Sequence, residues 1–269
     1  KQKKTIYYDN AWLKIYDKPV FYFPKFFHPD PSVKRQSGFL MPKFADSSAL
    51  GSSLNIPYFN AISDSKDLTF TPRLYFDQKI LAQTEYRTVN AETKNTLDFS
   101  FLSNPEGNNQ SHFFSESQKE LNFDGFLDSE LYLNFQTTSD DTYLKTYKLE
   151  SPLINNTSTL QSLIGLNLYK EDFSFNTEFQ VYENLNAQKI DRYEYILPSY
   201  TLSKDLGYAF NTSGTTTLLS TGHVKNYNTN ILESSNINDL LYDSDYGYSG
   251  NGLQKNYKIL LKNTNNKGK

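Results

Sequence analysis

The feature that most constrains this chain is a strict alternation of apolar and polar side chains along segments of about ten residues. Between residues 68 and 77, alternate positions are apolar: Leu68, Phe70, Leu74 and Phe76. The other positions are mostly polar: Thr69, Thr71, Arg73, Tyr75 and Asp77. Side chains repeat every two residues on a strand but about every 3.6 residues on a helix. The segment is therefore predicted to be a β-strand with one apolar and one polar face.

The same alternation recurs along the chain. Further apolar rows are Leu131, Leu133 and Phe135, and then Phe173, Phe175, Phe179 and Val181. Strands are predicted near residues 54–62, 67–77, 80–89, 96–103, 111–117, 128–137, 143–149, 159–170, 172–184, 193–203, 214–226 and 255–262, with a polar loop at 228–252. This spacing favours an antiparallel meander of about 10–12 strands.

Composition narrows the function classes. The net charge is −3 and no basic face is evident, so nucleic acid is not expected as a partner. The chain has no cysteine, which excludes disulfides and cysteine-bound metals within it. It has 21 Tyr and 20 Phe but a mean hydropathy of −0.64. That combination is typical of strands with one apolar face and one wet face.

The membrane and targeting signals are equally limited. No apolar run approaches the roughly 20 residues of a transmembrane helix. A membrane-spanning strand needs only about 9–11 alternating residues, so a membrane location stays open. Lys1 to Lys4 lead directly into strand-like residues 5–8, without the apolar core of a signal peptide. The chain is interpreted as an internal fragment of a longer protein.

The first 34 residues are predicted to form short strands ahead of the meander. These lie near residues 5–8, 12–16 and 20–23, with turns at 9–10 and 17–19. Their apolar candidates for an interior are Trp12, Ile15, Phe21 and Phe23. A core position is the ordinary interpretation of such side chains.

A polar, proline-spaced corner follows, from His28 to Gly38. Three prolines in and before it fix φ and remove backbone donors: Pro24, Pro29 and Pro31. With Gly38 after Ser37, this composition predicts an ordered crossing segment between two β units, and not a strand.

Pro57 and Pro72 lie inside two neighbouring strand patterns. A proline there leaves the hydrogen-bond ladder one bond short, which is normally tolerated only at an edge or a bulge. Two adjacent strands with this defect would form a weak seam. A plain edge strand explains the same residues, and the pattern leaves both interpretations open.

Alternation does not decide which face is buried. In a soluble β-sandwich the row of Phe173, Phe175 and Phe179 would face a core. In a membrane sheet the same row would face lipid, and the polar residues between would line a wet interior.

The chemistry-bearing residues form no recognisable catalytic or metal-binding motif. His28, His112 and His223 are far apart and have no metal-ligand or nucleophile spacing. His28 is interpreted as a polar residue of the corner, and the other two as facing solvent or a lumen. No enzyme activity, metal or cofactor is therefore expected.

A set of motifs carries a resemblance to a known family. The residues are Pro19–Pro24, His28–Arg35, Ser37–Leu40, Pro42, Gly51, Ile56–Tyr58, Asp67–Pro72 and Glu85–Arg87, followed by Asp140–Leu144 and Leu197–Tyr200. The stretch from Phe21 to Arg87 resembles the LPS-assembly protein LptD (OstA) family, the outer-membrane translocon that delivers lipopolysaccharide to the cell surface. The match is dense up to Arg87 and loose beyond Tyr200.

The resemblance implies an all-β chain in two parts. Residues 1–34 would be the C-terminal strands of a periplasmic β-jellyroll, whose apolar groove receives lipid A acyl chains. Residues 35–269 would be the N-terminal part of an antiparallel transmembrane β-barrel. The implied hinge consists of Pro24, Pro29, Pro31, Arg35, Ser37 and Gly38. The implied lipid path includes Trp12, Phe21, Phe23, Tyr58 and Tyr75.

The implied function is transport without covalent chemistry. Lipopolysaccharide would leave through a lateral gate between the first and last barrel strands, and Pro57 on the first strand and Pro72 on the second match the family's gate prolines. The implied partners are lipopolysaccharide, an LptE-like outer-membrane lipoprotein plug, an LptA-like periplasmic bridge protein and outer-membrane lipid. The implied location is the outer membrane of a Gram-negative bacterium, with the N-terminal part in the periplasm.

One departure and two alternatives qualify this interpretation. The family's barrel has roughly 26 strands, so this incomplete barrel is expected neither to close nor to transport by itself. A different outer-membrane channel or receptor would share the alternation without needing the Phe21–Arg87 motifs. A secreted soluble β-rich adhesin would also alternate, but would bury its apolar rows.

Overall fold

The computed structural model describes residues 5–15, 17–30, 35–105, 107–208, 213–227 and 231–268, and its regular structure is almost entirely β. Strands β1 to β19 are Thr5–Ile15, Lys18–Pro29, Gly38–Phe39, Lys43–Ser47, Gly51–Asn55, Tyr58–Ser63, Lys66–Tyr75, Ile80–Val89, Thr93–Ser103, Gln110–Glu120, Asp128–Thr138, Thr159–Lys170, Phe173–Asn184, Tyr193–Asp205, Gly214–Tyr227, Ile231–Ser244, Gly247–Tyr248, Gln254–Lys255 and Lys258–Gly268. The helical elements are the α-helix α1 (Tyr143–Thr146) and a 3-10 helix (Lys189–Asp191). Within these ranges, no helix is long and apolar enough to cross a membrane.

The strands β1 and β2 form an antiparallel hairpin, which is a separate two-stranded sheet. The prediction of a turn at residues 9–10 is wrong, because β1 continues through Asn10 at a positive φ of 59°. Asn10 falls in the gap of the register opposite Pro24, and the Tyr22 hydroxyl donates to its side-chain oxygen at 2.5 Å. Pro24 has no N–H and cannot donate a ladder bond to β1. The irregular residue Asn10 therefore lies at a position where that bond would be missing even in a regular strand.

The all-β prediction is confirmed by the remaining strands. β3 to β16 and β19 belong to one antiparallel sheet of 15 strands, and β17 pairs with β18. The order of the described strands in the large sheet ends at β4 and at β19, so the sheet does not close. The chain divides into two compact units, Lys1–Phe114 with Thr137–Leu153, and Ser115–Gln136 with Ile154–Lys269.

In the first unit, several short strands lie end to end. β5 and β6 both pair with β7 in one register and form a single interrupted strand. β4 pairs with β5 and β3 with β6, so β3 and β4 form an interrupted outer strand beside it. β8 and β9 continue the sheet beyond β7. The predicted strands begin at residue 54 and miss β3 and β4, whose short lengths and intervening Pro42 leave no alternation to detect.

In the second unit, β11 to β16 pair in sequence order, and β19 pairs with β16. The prediction of a loop over residues 228–252 is wrong, because β16 occupies Ile231–Ser244. This segment is rich in Ser, Asn and Asp, which are depleted in strands. It is a strand because all 14 of its residues pair with β15.

Two cross-strand pairs place a tyrosine ring over a glycine, Tyr132 over Gly165 and Tyr200 over Gly222. A Cβ atom on Gly165 would lie 2.2 Å from the Tyr132 ring, and one on Gly222 would lie 2.7 Å from the Tyr200 ring. Glycine in a strand is typical of positions where another group approaches the backbone closely. The position of Tyr132 lets its hydroxyl donate to Glu178.

We expect Gly165→Ala to destabilise the folded protein by about 1–3 kcal/mol, because the new methyl group displaces Tyr132 and breaks its bond to Glu178. Gly250→Ala is the matched control, since a Cβ atom there has no neighbour within 4 Å. Urea unfolding of the longer protein in detergent measures both changes. In a Tyr132→Ser background the loss from Gly165→Ala should shrink, and an undiminished loss would contradict the ring contact.

Candidate functional site

Pro72 removes one bond from the ladder between β7 and the interrupted strand β5–β6. The Ile56 N–H donates to the Pro72 carbonyl at 3.1 Å. In an antiparallel pair the N–H and C=O of one residue point to the same neighbour, so the Pro72 nitrogen faces Ile56 as well. That nitrogen carries no hydrogen, and the return bond to the Ile56 carbonyl is absent.

Pro57 removes a bond on the opposite side of the same interrupted strand. The Leu40 N–H donates to the Pro57 carbonyl at 2.8 Å, but the Pro57 nitrogen has no hydrogen to return. The outer strand is itself broken at this level, since β3 ends at Phe39 and β4 begins after Pro42. Two adjacent strands are therefore interrupted side by side, and the neighbouring continuous strand β7 lacks a donor at Pro72. We call Pro42, Pro57 and Pro72 with these defects the proline seam.

The structure thus brings together the two prolines that the sequence analysis selects. The strand order differs from the prediction in one respect. The outer strand β3–β4 comes before the strand that contains Pro57, so the Pro57 strand is second and not first in the described sheet. Pro42 was missed as a seam residue. Its signal was the even spacing of 15 residues between Pro42, Pro57 and Pro72, which places equivalent positions of successive antiparallel strands at one level.

In the first unit the polar face of the sheet is buried and the aromatic face is exposed, which is the opposite of the arrangement in a soluble protein. On β9, Asp98 and Ser100 are 0% and 1% exposed, whereas Phe99 and Phe101 are 46% and 48% exposed. On β7, Asp67 is buried and Phe70 is exposed. A soluble β-sandwich would bury the aromatic row. This polar-inside, apolar-outside arrangement is the one expected of a sheet whose outer face contacts lipid.

The segment of residues 139–153, which we call the strap, covers the polar face of this unit. Its buried side chains are Tyr143, Leu144, Tyr147, Leu149 and Leu153. Three strand residues of the same unit, Leu81, Leu102 and Phe114, are buried as well. The prediction of a strand at 143–149 is wrong, since these residues begin with the four-residue helix α1 and burial against the sheet overrides their β propensity.

Polar contacts join the strap to strands on both sides of the proline seam. Arg73 of β7 donates to the Tyr147 carbonyl at 2.5 Å, and Gln83 of β8 donates to the Glu150 carbonyl at 2.9 Å. Lys43 of β4 lies 3.2 Å from the Glu150 carboxylate. These contacts surround a pocket of about 340 Å³ that Pro57 also lines. The strap therefore bridges the interrupted strands on their polar face.

Three residues beneath the strap are of the types found in a hydrolase triad. His112 Nδ1 lies 2.6 Å from Ser100 Oγ, and His112 Nε2 lies 3.6 Å from Asp98 Oδ2. Ser100 also shares a 2.6 Å hydrogen bond with Tyr143, whose pKa burial raises to about 12. Ser100 is almost fully buried, so this cluster ties the strap to the sheet and leaves no access for a substrate. His112 is predicted to face solvent or a lumen; it lies on the polar face of the sheet, where the strap buries it.

The hinge residues divide into two groups. Pro24 and Pro29 lie in β2, so the expectation of a non-strand segment from His28 onward is wrong at its start, and Pro31 lies outside the described residues. Arg35, Ser37 and Gly38 contact the sheet. The Ala61 N–H donates to Ser37 Oγ at 2.9 Å, and Gly38 pairs with Phe59. Arg35 forms an ion pair with Asp67, whose other oxygen lies 2.8 Å from Arg87 Nε.

The candidate lipid-path residues lie in two places. The Trp12 ring lies 4.8 Å from the Tyr22 ring at an interplanar angle of 44° and is 55% exposed, so its predicted interior position is wrong. Phe21 and Phe23 lie on β2, where Phe23 is half-buried and the Phe21 side chain is outside the described part.

Tyr58 and Tyr75 lie on opposite faces of the large sheet. Tyr58 pairs with Phe70 on the apolar face and contacts Phe39 at 5.0 Å. Tyr75 lies beneath the strap, 6.0 Å from the Tyr147 ring. Their roles in a lipid path stay predictions.

The chain is similar to several known proteins that share one name, although no family model matches it. The chain is 29% identical to the LPS-assembly protein LptD of Legionella pneumophila (strain Paris) over 192 residues, which are 66% of this chain and 23% of that protein. It is 32% identical to LPS-assembly protein LptD of Shewanella sp. (strain ANA-3) over 177 residues, 64% of this chain and 22% of the relative. It is 27% identical to the LPS-assembly protein LptD of Pseudoalteromonas atlantica over 180 residues, which are 65% of this chain and 23% of that protein. The chain spans less than a quarter of these relatives.

We expect Leu144→Ala to destabilise the first unit by about 2–5 kcal/mol, because the Leu144 side chain of the strap is fully buried. Leu127→Ala is the control, since Leu127 is 66% exposed and its loss should change stability by less than about 0.5 kcal/mol. Limited proteolysis of the longer protein with increasing urea measures both. Equal resistance of the two variants would contradict the packing of the strap.

Proposed function

We propose that this chain, which belongs to the LPS-assembly protein LptD family, takes part in inserting lipopolysaccharide into the outer leaflet of the outer membrane of a Gram-negative bacterium. Residues 1–34 would be the end of the periplasmic β-jellyroll, and residues 35–269 would be the N-terminal part of the outer-membrane barrel. The observation that carries the proposal is the proline seam, in which Pro57 and Pro72 lie on adjacent strands and each leaves a ladder bond unmade.

The seam supplies a physical basis for a lateral gate. Two strands part only when the ladder bonds between them break, and each bond contributes about 0.5–1.5 kcal/mol. The first strands of the complete barrel would lie beside the gate. Because the seam lowers the number of bonds that hold these strands to their neighbours, they can shift outward at lower cost than regular strands.

The two faces of the sheet suit the two parts of lipopolysaccharide. The exposed aromatic rows that include Phe99 and Phe101 would contact membrane lipid and, at the gate, acyl chains. The sugars of lipopolysaccharide would reach the polar face once the strap moves away from it. No covalent chemistry is part of this function, and the driving force would come from the partners that supply lipopolysaccharide.

The partners that follow from this proposal are those of the export pathway. They are lipopolysaccharide itself, an LptE-like lipoprotein plug, an LptA-like periplasmic bridge protein and outer-membrane lipid. A different channel or receptor barrel would share the polar-inside faces, but it has no need of a proline seam. The exposed apolar rows count against a soluble adhesin.

We expect Pro57→Ala combined with Pro72→Ala to slow lipopolysaccharide export in cells that produce the longer protein. Alanine restores an N–H towards Leu40 and another towards Ile56, and each new ladder bond stabilises the closed seam. The measurement is the rate at which newly made lipopolysaccharide reaches the surface. Pro105→Ala, in a turn outside the strands, is the control. Unaltered export in the double variant, at normal protein abundance, would refute the role of the seam.

A photo-crosslinking residue at Phe21, Phe23, Tyr58 or Tyr75 tests the route. We expect adducts with lipopolysaccharide that require active export, and the adduct at Tyr75 also requires movement of the strap, because this residue is buried beneath it. Export-blocked cells are the control. If all four positions fail to give adducts while the protein is abundant in the outer membrane, the transport function falls and a generic channel becomes the better explanation.

A further inference from the structure

The described part of the corner that directly precedes β3, residues 35–37, is joined to the sheet by few backbone bonds. β3 follows it, has two residues and pairs with β6 alone among the described strands. Immediately beyond β3, Pro57 accepts from Leu40 but returns no N–H. So short a ladder holds an edge strand weakly. Side chains must therefore keep the corner in place.

Asp67 supplies the charged contacts at this point. One carboxylate oxygen pairs with Arg35 of the corner, and the other lies 2.8 Å from Arg87 Nε of β8. Arg35 also donates to the Asp64 carbonyl, and Arg87 lies 3.3 Å from the Glu85 carboxylate. The Asp67 side chain is 9% exposed. Charge-assisted hydrogen bonds from two guanidinium groups to one shielded carboxylate are stronger than neutral ones.

Removing the negative charge of Asp67 has a predictable consequence for the two arginines. Without the Asp67 charge, two guanidinium groups would face each other with no counter-ion between them. Arg35 would then lose its fixed position, while Arg87 would keep Glu85 as a partner. The corner is therefore the element that Asp67 controls most directly.

We infer that Asp67 is a positioning residue that fixes the corner to β7 and β8 and thereby keeps β3 beside Pro57. Its consequence for transport rests on the proposed function. There the corner joins the jellyroll to the barrel, so Asp67 would set where the first strand begins relative to the proline seam. Because the two-residue pairing of β3 holds this edge weakly, Asp67 adds an attachment through side chains.

Amide hydrogen exchange in the longer protein, folded in detergent, tests this inference. The reporters are the Leu40 N–H, bonded to Pro57, and the Ala61 N–H, bonded to Ser37. We expect Asp67→Asn to speed exchange of both by about tenfold, because the amide offers two guanidinium groups only one acceptor oxygen and no charge. Arg35→Gln should speed exchange to the same extent. The double variant should exchange no faster than either single variant, because each of the three variants loses the same contact between Arg35 and Asp67.

The control is Asp77→Asn, which makes the same chemical change at an exposed turn where Asp77 lies 2.6 Å from Lys79. Asp67→Glu, which keeps the charge, should restore part of the protection. Unchanged exchange at both reporters in Asp67→Asn, or additive effects of the Asp67 and Arg35 changes, would overturn the inference. No lipopolysaccharide enters the measurement, so its outcome is independent of the export test on the prolines.

Discussion

The backbone hydrogen-bond ladder is the interaction on which the large sheet depends. Each strand offers one N–H and one C=O per residue, and a sheet exposed to lipid has no water to satisfy those that remain unpaired. A missing donor inside a strand is therefore a local weakness with a defined direction. Pro57 weakens the sheet towards the outer strand and Pro72 weakens it towards the interior strand, so the interrupted strand β5–β6 is loosened on both sides.

The surrounding side chains offset this weakness on one face. Lys43, Arg73 and Gln83 reach the strap from three strands that flank the seam. At the end of the seam nearest the corner, Asp67 gathers two arginines around one carboxylate. These contacts are polar and add to the packing of the buried apolar side chains of the strap, such as Leu144, against the sheet.

The polar face requires that buried hydrogen-bonding groups find partners within the protein. In the first unit the strap provides them, as the bonds among Ser100, His112 and Tyr143 illustrate. In the second unit neighbouring strands provide them, and glycines such as Gly165 leave room for a tyrosine ring to lie over the adjacent backbone and reach Glu178. Both solutions leave the aromatic rows free to cover the outer face.

By itself, the sequence determined that the chain is all-β, which residues share a face of a strand, and where two prolines interrupt neighbouring strands. These properties follow from local rules, because a period of two and a missing N–H are visible in the primary structure. The sequence left β16 unrecognised, since its Asn- and Ser-rich residues become a strand only through pairing with β15. It also suggested a strand where α1 forms beneath aromatic packing.

Only the tertiary structure decided which face is covered, how the strap lies across the seam and that Asp67 meets Arg35 and Arg87. Burial and charge pairing depend on contacts between residues far apart in the chain, and alternation is the same whichever face is turned inward.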